Sequence, residues 1–112
     1  MSESNEPTRE DVDRMPGGVM LEFGSASCPH CQAIQDDLKS LKNEYPTVRH
    51  IPVEDGPGRP LGRSFRVKLW PTLVFLRDGK PVSQLVRPTG TELTERYAEL
   101  SSAVAAGRAA GA

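Results

Sequence analysis

Several classes of function are excluded by what this chain lacks. No apolar run approaches the ~18 residues needed to cross a bilayer as a helix, so no membrane association is expected from the sequence. No sign of charge dominates: fourteen Lys and Arg face fifteen Asp and Glu, a formal net charge of −1. A chain that holds nucleic acid or an anionic membrane by bulk charge would carry a clear cationic excess. Cysteine is nearly absent, with only Cys28 and Cys31. A structural disulfide between them would close too small a loop to stabilise much. The pair therefore points to redox or metal chemistry, not to a disulfide framework. The first residues are polar and acidic, without the basic start and apolar stretch of a secretory signal. The expected location is cytoplasmic, or periplasmic if a leader preceded Met1.

What remains is a single domain over 1–112, ordered from about 8 to 104 with frayed termini, and expected to be monomeric. Thr8 and Asp11 have the spacing of a capping box, which predicts a short helix over 8–15 stopped by Pro16-Gly17-Gly18. Val19-Met20-Leu21-Glu22-Phe23 is apolar almost without alternation, as in a strand covered on both faces. Pro29 suits the first position of a helix. That helix carries Ile34, Leu38, Leu41 and Tyr45 at offsets 0, 4, 7 and 11, and Pro46 ends it. A strand follows over 47–53, with Val48, Ile51 and Val53 as core candidates, then a Gly- and Pro-rich loop and one helical turn over 61–65. Thr72-Leu73-Val74-Phe75-Leu76 is the most apolar strand, and Asp78-Gly79 turns it into a hairpin returning over 81–86. Thr91 is expected to cap a last helix with Leu93, Tyr97, Leu100 and Val104 in a stripe, frayed from Ala105. A parallel pair joined by a right-handed crossover, a hairpin and a closing helix give a mixed α/β sheet with helices on both faces.

Cys28-Pro29-His30-Cys31 lies where a buried strand gives way to a helix. At the cap position Cys28 faces unpaired backbone N–H groups and the positive end of the helix, which favour a thiolate and make it the nucleophile. Cys31, one turn in and less exposed, resolves the mixed disulfide. Metal chemistry fits less well. A closed zinc site takes about four ligands, the chain has two cysteines and two histidines, and His30 sits inside the motif. Haem attachment needs a histidine directly after Cys31, where Gln32 stands. Copper carriage by two thiolates explains the surrounding pattern less well than redox exchange.

The strand Leu21-Glu22-Phe23, the Cys-Pro-His-Cys helix start, and Trp70-Pro71-Thr72 before an apolar strand and turn together resemble the thioredoxin family over about Thr8 to Val104. The resemblance implies the thioredoxin fold, with a four-stranded mixed sheet of one parallel pair and an antiparallel hairpin. It implies a cis Trp70–Pro71 bond beside the cysteines, with the backbone of Trp70 offered to a bound substrate. Glu22 stands where the family has a buried Asp. This implies proton transfer at Cys31 by a carboxyl whose pKa burial raises, the alternative being a strand carboxylate that meets solvent or a lysine. His50 falls near the family's lysine partner of that acid. Two departures matter. Ser27 replaces the flanking Trp, and Pro29-His30 resembles the dipeptide of the oxidase DsbA, implying that His30 stabilises the thiolate. Arg87 stands where the family has a groove-lining glycine. There it would favour the thiolate, select acidic partners, or simply sit exposed at a strand end.

The function implied is thiol–disulfide oxidoreduction, exchanging the Cys28–Cys31 couple with protein disulfide or dithiol clients. No cofactor is needed, and an upstream reductase or other redox partner is implied. The chain is expected to be a reductase less reducing than ordinary thioredoxin. The rival is a client-binding, chaperone-like module of the same fold with little redox turnover.

Overall fold

The computed structural model describes the backbone of residues 6–111 and the side chains of residues 6–106. Helix α1 (Arg9–Asp13) begins at the expected Thr8–Asp11 capping box, with both reciprocal hydrogen bonds made. Strand β1 (Gly18–Gly24) is buried along its whole length. Strand β2 (Val48–Glu54) pairs parallel to it, while β3 (Thr72–Arg77) lies antiparallel on its other side. Strand β4 (Lys80–Val86) completes the hairpin, giving the order β2-β1-β3-β4. The central place of β1 explains its continuous apolar run: both neighbours and both faces exclude water.

The alternation of β1 and β3 divides the core between the two faces. Met20, Leu73 and Phe75 point one way, against the stripes of α3 (Gln35–Glu44) and α5 (Gly90–Gly111). Val19, Leu21, Phe23, Val74 and Leu76 point the other way, with Val12 of α1 and Leu61 of α4 (Pro60–Ser64). Glu22 shares a face with Met20 because side chains repeat every second residue along a strand. That places its carboxylate under the helix carrying the cysteines.

Two expectations are corrected. The helix from Pro29 to Pro46 is not continuous: α2 (Pro29–Ala33) ends at Ile34, whose φ and ψ are −99° and 0°, and α3 starts one residue later. The side-chain amide of Gln35 donates to the Cys31 carbonyl at 2.8 Å, satisfying an acceptor at the break. The cap of α5 is Thr89, not Thr91. Its hydroxyl accepts from Glu92 N–H at 3.1 Å while Glu92 Oε1 accepts from Thr89 N–H at 2.9 Å. Thr89 has the glutamate three residues on that closes a capping box, whereas Thr91 has Thr94 there. Thr89→Ala should cost about 1 kcal/mol and Thr91→Ala less than about 0.5 kcal/mol, a difference that urea midpoints will resolve. Helix α5 runs to Gly111, and Glu6 accepts a 3.2 Å bond from Arg59. The expected fraying of residues 1–5 lies outside the described residues.

Candidate active site

Cys28 caps α2 with extended φ and ψ of −82° and 116°, and its Sγ accepts from the Cys31 N–H at 3.3 Å. Pro29 occupies the first helical turn, where the absence of an N–H costs nothing. Both thiols are free and nearly buried, 9% exposed at Cys28 and 5% at Cys31. They are opposite in acidity. Cys28 is held below the ordinary thiol range, chiefly by the neighbouring Cys31 thiol as hydrogen-bond donor. Burial opposes this, and the backbone N–H groups of Cys31 and His30 and the charge of Arg87, each a smaller effect, add to the lowering. Cys31 is pushed up to about 11, first by burial, then by its hydrogen bond with Cys28 and the charges of Cys28 and Glu22. The proton shared by the pair therefore stays on Cys31, and Cys28 is the more acidic thiol. Because α2 is five residues long, the Cys31 thiol and local N–H groups, not an extended helix dipole, supply this stabilisation.

His30 is exposed, and its imidazole makes no hydrogen bond among the described residues. What reaches Cys28 from this residue is its backbone N–H.

Glu22 is 9% exposed and doubly bonded. Gln35 Nε2–H donates to Oε2 at 2.8 Å, and His50 Nε2 lies 2.7 Å from Oε1. The pairing with His50 follows from register, since His50 sits opposite Met20 on the parallel neighbour β2. The expected rise in the Glu22 pKa is overturned. Burial does push it up, but the bonds from His50 and Gln35 and the charge of His50 outweigh that and hold it below the usual value. Glu22 is consequently a carboxylate at neutral pH, and His50 must donate through Nε2–H. A carboxyl depressed on folding adds stability above its unfolded pKa of about 4.3, and that stability is lost as pH falls through the lower folded value. A cavity of about 300 Å³ is lined by Glu22, Gly24, Cys31 and Gln35. Gly24 leaves room for the inner thiol, since a Cβ there would stand 2.5 Å from Cys31 Sγ.

The Trp70–Pro71 peptide is cis. The Trp70 carbonyl faces the nucleophile, 3.9 Å from Cys28 Sγ, and accepts from Arg87 Nε–H at 2.9 Å. The indole Nε1–H donates to Asp55 Oδ2 at 2.9 Å. The fold thus brings together Cys28, Cys31, Pro71, Trp70 and Arg87 on one side and Glu22 behind Cys31, while the His30 ring stands apart. Sequence reasoning missed Gln35 and Asp55. Gln35 was findable, because it lies four residues after Cys31 and so on the same helical face. Asp55 sits in an irregular loop whose path no periodicity reveals.

A reduced dithiol of split acidity at the start of a helix, beside a cis-proline and over a buried carboxylate, defines a thiol–disulfide oxidoreductase of the thioredoxin fold. The chain belongs to the thioredoxin family, whose sequence profile matches residues 2–99. Thioredoxin 2 from Pseudomonas aeruginosa PAO1 in its reduced form is similar in structure, with 51% identity, a TM-score of 0.77, and coverage of 87% of this chain and 91% of that one. By sequence the chain is 29% identical over 70 residues to thioredoxin Asp f 28 of Aspergillus fumigatus, covering 62% of this chain and 65% of that protein. It is 26% identical over 85 residues to a thioredoxin H-type of Picea mariana, covering 76% and 68%.

Proposed function

We propose that the protein reduces disulfides in protein clients, at a potential less negative than that of ordinary thioredoxin, and is itself re-reduced by an upstream dithiol partner. The split acidity of Cys28 and Cys31 carries this reading. The Cys28 thiolate attacks one sulfur of the client disulfide, and the other leaves as a thiolate. Cys31 then loses its proton and attacks Cys28 Sγ. The client departs as a dithiol, two electrons poorer on the protein's side and two richer on its own. Glu22 is the base for the Cys31 proton, reached through the cavity that both line. Gln35 and His50 hold it in place, and Trp70 and Pro71 shape the client groove.

The shift in potential follows from linkage. Groups that favour the Cys28 thiolate stabilise the reduced form, and a stabilised reduced form is a weaker reductant. Equilibration in glutathione buffers tests this. A value above about −270 mV but well below about −120 mV is expected, whereas the absence of a reversible couple would leave a client-binding module as the reading.

Glu22→Gln tests the base. The amide keeps hydrogen-bonding atoms but takes up no proton, so resolution by Cys31 should slow by about 10²-fold. Attack by Cys28 should continue, and acid-quenched mass spectrometry should show the mixed disulfide accumulating. Unchanged resolution would remove Glu22 from the mechanism.

A further inference from the structure

Charge is unevenly distributed along this nearly neutral chain. From Gly56 to Arg77 there is no Asp or Glu, yet Arg59, Arg63, Arg66, Lys68 and Arg77 all fall there. Arg63, Arg66 and Lys68 are exposed and have no acidic partner among the described residues. They line an open cavity of about 400 Å³ together with Asp55, whose carboxylate holds the Trp70 indole. Asp55 ties this basic surface to Trp70, whose carbonyl stands 3.9 Å from Cys28 Sγ.

Arg87 borders the groove at Cys28 from the other side. Its φ is +48°, in the left-handed region that favours glycine over any side chain. Its Nε–H is bound to the Trp70 carbonyl, an acceptor aimed at the nucleophile. Only the Nε–H is engaged there, so the Nη groups of this exposed guanidinium stay open toward the groove while the carbonyl keeps a second lone pair for a client N–H. A carboxylate on the client can meet those Nη groups through parallel N–H···O bonds.

Resting on the oxidoreductase reading, we propose that this groove selects disulfides carried in acidic protein segments: Arg87 takes a client carboxylate on one side of Trp70, and Arg63, Arg66 and Lys68 take another on the far side. The sulfur chemistry is unchanged, and the contacts act on encounter and orientation.

Three peptide disulfides, identical except for flanking Asp, Ser or Lys residues, test the proposal in single-turnover oxidation of the reduced protein. The expected order is Asp, Ser, Lys, with about tenfold or more between the ends at low ionic strength and a smaller ratio at high salt. The ratio should fall toward one in Arg87→Gln and in Arg63→Glu/Lys68→Glu. Equal rates on the three peptides, a faster Lys peptide, or a ratio that survives every charge replacement would overturn the selectivity while leaving the oxidoreductase reading intact. Failure to react with any of the three would instead overturn the oxidoreductase reading, and the selectivity with it.

Discussion

Cys28→Ser should abolish disulfide reduction, by about 10³-fold or more, since no other nucleophile stands in the groove. Cys31 does not substitute for it: it is less exposed, and its proton is held up to about 11. The companion variant behaves differently. Cys31→Ser keeps the attacking thiolate and loses the resolving one, so the client should remain attached through Cys28. Its thiolate will also be less favoured, because the Cys31 thiol is the largest influence lowering it. A hydroxyl keeps only part of that hydrogen bond. Dithiothreitol-driven reduction of insulin measures the first loss, and non-reducing mass spectrometry measures the trapped adduct. Turnover by Cys28→Ser close to that of the unaltered protein would rule out the assigned chemistry.

Phe75→Ala should be the most damaging single change to the fold outside the backbone turns. Phe75 is fully buried on the central hairpin, with its ring edge-on to Tyr97 at 5.5 Å and 85°. That contact joins β3 to α5, which together with α3 covers one face of the sheet. Truncation removes a ring's worth of apolar burial and leaves a cavity, at a cost of about 3–5 kcal/mol. In a domain of this size that lowers Tm by about 12 °C or more, which calorimetry will register. A shift of only a few degrees would mean that the face repacks around Tyr97.

Much of this was legible in the sequence because it depends on local pattern. The Thr8–Asp11 box, the continuous run at 19–23 and the Asp78-Gly79 turn each encode a backbone state in neighbouring residues, and each was found in the structure. The cysteines and Pro71 were legible for a different reason, namely a spacing that resembles a known family. What was not legible depends on contacts distant in sequence. The acidity of Glu22 is the clearest case. Burial, inferred from the strand, gave the wrong direction, because the deciding partners come from β2 and from α3. The Asp55–Trp70 bond, which ties a loop to the groove, lay out of reach for the same reason. The break at Ile34 escaped notice because the apolar stripe runs through it uninterrupted: Ile34 is as buried as the stripe requires.

That break separates two tasks within one stretch of chain. Leu38 and Leu41 lock α3 into the core, whereas α2, with Cys28 as its cap and Cys31 within it, joins α3 through a single non-helical residue. One glutamine amide fastens the joint to the sheet, gripping a carbonyl and a carboxylate at once. The reactive piece behaves as a cartridge in a fixed frame. Its Pro-His dipeptide is exposed, so exchanging it touches none of the residues that keep the frame standing.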